Sequence, residues 1–383
     1  MDTHSRDQPR QASEDGGAWP TALTLALRLA VLVTLLFGFF IGLDMMGLGF
    51  MLFGAGFAEA LVEKTSNPFV GLFIGILATT LVQSSSTTTS ITVGIVAAGG
   101  LTIEGAIPIV MGANIGTSVT NTLVSLAHVT RREEFQRAFA GATVHDFFNW
   151  MAVLILLPLE MTTGYLARTA TLLETTLENL GGVKLLDPLK TVVRPVAREI
   201  AALLGNSGTL VVVFGIILVM ISLRYLVVVM RKLMTGQAES ILHRTLFRSA
   251  WAAIAAGLAV TVAVQSSSIT TSLMVPLVGA GIVTLEQVFP FTIGANIGTT
   301  ITAMLAALAT GAPAAVTVAF SHLVFNLTAS LLIYVPPPMR AIPLGLARRL
   351  GRLAGHNRFL AGAYIVLTFF GLPLLLLFLT GTL

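Results

Sequence analysis

Gln83-Ser-Ser-Ser-Thr-Thr-Thr-Ser90 returns as Gln265-Ser-Ser-Ser-Ile-Thr-Thr-Ser272, identical at seven of eight positions and offset by 182. A second motif keeps the same offset of 182: Gly112-Ala-Asn-Ile-Gly-Thr-Ser118 and Gly294-Ala-Asn-Ile-Gly-Thr-Thr300. Two polar motifs inside apolar sequence, in one order and at one spacing, mark a duplicated unit. The first motif of each pair is a run of hydroxyls with apolar residues on both sides. That pattern predicts a helical hairpin that enters a membrane and turns back, with the Gln-Ser-Ser-Ser stretch at its tip. Non-helical backbone at such depth is tolerated only where it is buried in protein or lines a cavity.

Composition agrees with a membrane setting. The chain has 383 residues, of which 55% are hydrophobic and 10% charged; its mean hydropathy is +0.88. A soluble domain carries about 25% charged residues, so this chain cannot coat a water-facing surface. The regular alternation of an outer-membrane barrel is absent. The net charge of +4 comes from arginines in loops. They suit cytoplasmic loops beside anionic lipid, not nucleic acid. The chain has no cysteine, which excludes disulfides, thiol chemistry and thiolate metal sites. Residues 1–21 read as a polar, disordered cytoplasmic amino terminus. The first apolar run is too long for a signal-peptide core.

Working outward from the two motifs gives an all-α polytopic membrane protein. Repeat 1 covers 22–158: a span at 22–43, an interfacial helix at 44–65, a hairpin at 68–100, a span at 102–127 and a span at 138–158. The span at 102–127 is expected to break at Gly112–Gly116, because glycines around an asparagine favour local unwinding. Residues 159–207 form an extracytoplasmic connector. Repeat 2 covers 208–335: a span at 208–230, a hairpin at 250–281, a second broken span at 285–310 and a span at 314–335. A basic cytoplasmic loop at 336–359 and a carboxyl-terminal span at 360–383 follow. Three crossings and one re-entrant hairpin per repeat is an odd number, so the second copy is inverted. With the amino terminus in the cytoplasm, the basic stretches 128–137, 231–248 and 336–358 all face inside, as the positive-inside rule requires.

Hydroxyl and carboxamide oxygens are hard ligands suited to Na+, and hydroxyl donors with free helix N–H groups suit an oxyanion. The candidate substrate ligands are Gln83, Ser84, Ser85, Ser86, Gln265, Ser266, Ser267, Ser268, Asn114 and Asn296. The candidate Na+ ligands are Gln83, Asn114, Thr117, Thr120, Gln265, Ser266, Asn296, Thr299 and Thr302. Asp146 and Asn121 are accessory candidates without matching residues in the second copy, where Leu323 and Ala303 stand. Against these roles, serine and threonine also serve as small residues for close helix packing, and Gly-Asn merely kinks a helix. His145 and Asn149 share their i, i+4 spacing with His322 and Asn326, which suits hydrogen bonds between helices. Glu104 and Glu286 each follow a threonine by two positions. They read as first-turn acids behind an N-cap.

On these residues the chain resembles the type II sodium-dependent phosphate cotransporters. The resemblance rests on both Gln-Ser-Ser-Ser motifs, on 112–122, on 294–300 and on Arg137-Ala-Phe-Ala-Gly-Ala-Thr-Val-His-Asp-Phe-Phe-Asn-Trp150, and it covers 22–335. It implies Na+-coupled import of inorganic phosphate across the cell membrane, with both Gln-Ser-Ser-Ser regions forming the substrate and Na+ sites. Na+ is then the coupling ion and no other cofactor is implied. A homodimer is also implied. The short, cysteine-free connector is of the bacterial type. Three other readings remain: a transporter of another oxyanion, an anion channel with a hydroxyl filter, and a serine hydrolase. The last lacks a Gly-x-Ser-x-Gly elbow.

Overall fold

The computed structural model describes residues 22–53, 62–63, 65–179, 187–234 and 249–381. The expected amino-terminal tail, the middle of the connector and most of the 231–248 basic segment lie outside the described residues.

Every element among the described residues is helical. In chain order these are α1 (Ala22–Phe53), α2 (Pro68–Val82), α3 (Ser85–Ala97), α4 (Ile103–Thr117), α5 (Val119–Ser125), α6 (Arg132–Thr163), α7 (Tyr165–Asn179) and α8 (Asp187–Leu203). There follow α9 (Gly208–Met234), α10 (Ala250–Val264), α11 (Ser267–Ser272), α12 (Met274–Gly279), α13 (Leu285–Thr310), α14 (Pro313–Ala329), α15 (Pro337–His356), α16 (Arg358–Val366) and α17 (Leu372–Leu379). Six stretches among the described residues are long and apolar enough to cross a membrane: 26–53, 132–163, 208–226, 285–310, 313–334 and 358–379. The expected interfacial helix at 44–65 is not separate at its start, because α1 runs unbroken to Phe53.

Small residues set the packing. A Cβ on Gly75 would overlap the Ile109 carbonyl oxygen, and one on Gly112 would overlap that of Leu72. At the same offset, Gly257 would overlap the Phe291 carbonyl and Gly294 that of Ile254. A Cβ on Gly116 would lie 2.7 Å from Thr79 Cβ, and one on Gly298 2.7 Å from Thr261 Cβ. Helices without a hydrophobic drive between them associate through such close backbone approach. Here the same device holds α2 on α4 and α10 on α13.

The contacts also give direction. Gly71 meets Pro108, Gly75 meets Ala113, and Thr79 meets Gly116. Positions rise together, so α2 and α4 run parallel, and α3 must return between them. Along α1 and α9 the order reverses: Gly38 meets Ser222, Gly42 meets Val219, and Gly49 meets Val212. Those two helices, first in their respective copies, pack antiparallel.

The expected breaks at Gly112–Gly116 and Gly294–Gly298 are corrected by the structure. Both segments are α-helical, and α13 runs without interruption from Leu285 to Thr310. The first copy is interrupted only at Ser118. The glycines are there to admit a neighbouring carbonyl, not to unwind their own helix. The N-caps are as expected: Gly105 N–H donates to Thr102 Oγ1 at 3.1 Å, and Thr284 and Gln287 form a reciprocal capping box.

Two connectors cross over. α7, which follows α6, packs on α14; α15, which follows α14, packs on α6. The expected basic loop at 336–358 is therefore a packed helix, seated where Gly351 and Gly355 meet Gln136.

Candidate functional site

Each Gln-Ser-Ser-Ser stretch is a helix–turn–helix joint with one backbone conformation. α2 ends at Val82, Gln83 is left-handed (φ 56, ψ 30), Ser84 is extended (φ −151, ψ 103), and α3 begins at Ser85. In the second copy Gln265 has φ 57 and ψ 28, and Ser266 has φ −155 and ψ 108. Only three non-glycine residues have positive φ among those described, and these two glutamines are two of them. A non-glycine side chain there costs roughly 1–2 kcal/mol. Such strain clusters where function requires it.

The serine after each glutamine caps the next helix. Thr87 N–H donates to Ser84 Oγ at 3.2 Å, and Ile269 N–H to Ser266 Oγ at 3.3 Å. The threonine hydroxyls then turn back on their own helix. Thr88 and Thr89 donate to the Ser84 and Ser85 carbonyls, as Thr270 and Thr271 do to those of Ser266 and Ser267. What remains is the same in both copies. The hydroxyls of Ser85 and Ser86, and of Ser267 and Ser268, have no hydrogen-bond partner although all four residues are buried. Unlike the fully enclosed Thr120 Oγ1, these hydroxyls keep some accessible surface. Two pairs of them beside a strained turn can receive a ligand.

The side chains of the two glutamines differ. Gln265 Oε1 accepts from Thr302 Oγ1 at 2.8 Å, and its Nε2 donates to the Val262 carbonyl at 2.6 Å. Gln83 is exposed and has no such bond. Thr120, the match of Thr302, holds a buried hydroxyl with no partner.

Around the joints runs a buried polar network that ties the copies crosswise. His145 Nε2 donates to Asn296 Oδ1 at 2.7 Å, and His322 Nε2 to Asn114 Oδ1 at 3.3 Å. Asn296 Nδ2 donates to Asn149 Oδ1 at 2.8 Å, and Asn149 Nδ2 to the Asn114 carbonyl at 2.8 Å. The tautomer of His145 follows from this. Asn296 has already used its amide as donor, so His145 carries its proton on Nε2. Its Nδ1 is then free to accept from Asn121 Nδ2 at 3.4 Å. Asn121 Oδ1 accepts in turn from Thr271 Oγ1 at 3.0 Å, joining the first copy to the second tip.

The candidate residues therefore fall into groups. Gln83 with Ser84, Ser85 and Ser86, and Gln265 with Ser266, Ser267 and Ser268, sit at the two joints. Asn114 and Asn296 sit in the crosswise network, reached through histidines. Thr117 and Thr299 are buried and give their protons to the Ala113 and Ala295 carbonyls. In the second copy the helix does not unwind; in the first, the interruption at Ser118 turns its N–H to the Ile115 carbonyl, and the Asn114 carbonyl accepts from Asn149 instead. Asp146 is buried and accepts from Tyr364 of α16 at 3.0 Å. Sequence reasoning missed that partner, because the last span repeats nothing and a lone tyrosine in it carries no signal. Among the described residues no Lys or Arg bonds to either joint, so an anion there would rest on hydroxyls, dipoles and co-bound cations.

The chain matches the Na+/Pi-cotransporter family over residues 38–168 and 200–334, which takes in both joints. It is 34% identical over 444 residues to sodium-dependent phosphate transport protein 2B of Pongo abelii, covering 91% of this chain and 64% of that one. It is also 36% identical over 433 residues to sodium-dependent phosphate transport protein 2A of Oryctolagus cuniculus, covering 92% and 67% respectively. The chain thus spans just under two thirds of the length of the 2B relatives it matches. No solved structure matches it significantly. A family match over more than half of the chain makes this chain a member of the Na+/Pi-cotransporter family.

Proposed function

We propose that this protein is a secondary transporter that imports inorganic phosphate with Na+ across the cell membrane. The observation that carries the reading is the pair of strained Gln joints, each with two unpartnered hydroxyls on largely buried serines, in a chain of this family. Residues 22–158 and 208–335 act as inverted-topology repeats, with 159–207 as an extracytoplasmic connector. The antiparallel packing of α1 on α9 supports the inversion. α2 and α10 have fifteen residues each. At about 1.5 Å per residue neither crosses about 30 Å of hydrocarbon, which supports re-entrant hairpins.

Phosphate is held by the serines at the two tips, with Asn114 and Asn296 supporting the site from the network. Na+ is held by Gln83, Gln265, Ser266 and the oxygens of Thr117, Thr120, Thr299 and Thr302, with Asn121 and Asp146 as accessory groups. Electrostatics supplies the reason for coupling. Carrying HPO₄²⁻ into a negative interior costs about 4.6 kcal/mol at 100 mV, and two Na+ cancel that charge. Access alternates as the two halves exchange arrangements. In this reading, Gln265 bonded to Thr302 with Gln83 exposed marks one of the two arrangements. The opposite state has the Gln83–Thr120 latch closed and the Gln265–Thr302 latch open.

The test is ³²P-phosphate uptake into proteoliposomes under an imposed Na+ gradient, against an equal K+ gradient, with unlabelled sulfate as competitor. Saturable uptake that needs Na+ and resists sulfate is expected. Uptake indifferent to Na+ would sink the coupling, and non-saturable flux would make the protein a channel.

A further inference from the structure

A cavity of about 370 Å³ lies away from both joints. It opens between the first turns of α6, the loop after α12, the start of α13 and the middle of α15, and its polar lining is Gln136, Arg137, Thr284, Arg348 and Arg352. Arg137 Nε donates to the Gly279 carbonyl at 2.8 Å, which fixes this guanidinium against the wall with its outer N–H groups free. Arg348 pairs with Glu286, and both groups are about half exposed. Such a pair is weak in water and can be re-partnered. Arg352 is exposed and its guanidinium has no partner. Three guanidinium groups thus face one carboxylate.

The position of the cavity says what kind of anion fits. α6 and α13 are both candidate spans, and the cavity sits where both begin. That is headgroup level. Its other wall is apolar, with Ala140, Val278, Val283 and Leu285. Ile282, in the same loop, is 52% exposed, and Leu353, beside Arg352, is 56% exposed. A free anion would use the arginines and leave those side chains in water. A ligand with a charged head and an apolar tail uses both.

We infer that this cavity is a binding site for the phosphate head of an anionic phospholipid, in the leaflet where α6 and α13 begin. Guanidinium pairs with phosphate through parallel hydrogen bonds, and basic pockets between spans are suited to such heads. Arg352 and the outer N–H groups of Arg137 hold the phosphate, and Arg348 turns to it from Glu286. The acyl chains lie along Ile282 and Leu353. The inference does not depend on what the two joints transport.

The experiment uses the full-length protein in nanodiscs of phosphatidylcholine containing a minor fraction of phosphatidylglycerol or cardiolipin. Lipid retained after extraction is read by native mass spectrometry. The wild type is expected to retain the anionic lipid over phosphatidylcholine. Arg352→Gln breaks no contact within the protein, so it tests binding without testing folding. It should weaken retention several-fold, and Arg348→Gln with Arg352→Gln about tenfold or more, whereas Arg352→Lys should retain most of it. A parallel arm adds millimolar inorganic phosphate to the extracted protein, and no displacement of lipid is expected. Equal retention of neutral and anionic lipid, or full retention by Arg352→Gln and the double variant, would overturn the site. Displacement by inorganic phosphate would overturn the lipid and make the ligand a free anion.

Discussion

The joints at Gln83 and Gln265 have the same backbone to within a few degrees, and the same serine cap. Their surroundings differ. Gln265 is held twice, by Thr302 and by its own helix, while Gln83 is exposed and Thr120, the match of Thr302, has no partner. The shared part is local, a left-handed residue followed by an extended cap, and local sequence encodes it. The difference is tertiary, since it depends on where each joint stands against the helix that bears its threonine.

The comparison can be broken at several strengths. The largest effect is expected at the shared serines. Replacing Ser84–Ser86, or Ser266–Ser268, with alanine should abolish Na+-dependent uptake while the protein still elutes as a folded species. Residual uptake in one copy only would show that the joints do not act together. Next come the packing glycines. Gly112→Ala and Gly294→Ala each drive a Cβ into a backbone carbonyl that cannot move alone. Each should cost about 1–3 kcal/mol or more, read as a fall in apparent melting temperature. Equal losses would support equivalent seats, and a mild effect in one copy would separate them.

The latch itself is tested by cross-linking, which the absence of native cysteine makes clean. Gln265→Cys with Thr302→Cys should form a disulfide readily in the state seen here. Gln83→Cys with Thr120→Cys should form one only as Na+ and phosphate shift the protein between states. Equal, ligand-independent yields would remove the asymmetry from the mechanism. A smaller change is expected from Tyr364→Phe, which takes one hydrogen bond from buried Asp146. Such a bond is worth about 0.5–1.5 kcal/mol to a neutral acceptor and about 1.5–3 kcal/mol to a charged one. The loss should appear in thermal stability and in the Na+ dependence of uptake. The smallest belongs to Thr87→Ile, which copies Ile269 into the first joint. It removes only the 2.9 Å bond from Thr87 Oγ1 to Ser84 Oγ. A change of about 1 kcal/mol or less is expected, with uptake kept.

Much of this was legible in the chain itself. The offset between Gln83 and Gln265 exposed the duplication, and hydropathy placed six of seven expected spans. The seventh, 102–127, is divided by the interruption at Ser118 into α4 and α5. The glycines of Gly112–Gly116 were misread because a glycine that admits a foreign carbonyl looks, in sequence, like one that releases its own. The crosswise bonds from His145 to Asn296 and from His322 to Asn114 were within reach as a type, from matched i, i+4 pairs. Their partners were not, since they lie 151 and 208 positions away.

By itself, then, the sequence determined what each segment is. Continuous hydrophobicity and length make helices of membrane-spanning size, threonine and serine caps start them, and a glutamine with three serines ends one helix and begins another. These are short-range effects, settled within a few residues of chain. Only the tertiary structure decided which groups meet. It set Asn296 on His145, put Tyr364 against Asp146, bonded Gln265 to Thr302 and left Gln83 exposed, and gathered Arg137, Arg348 and Arg352 around one cavity. Those outcomes depend on the rotation and height of packed helices, and a shift of one residue along a helix turns its side chain by about 100°.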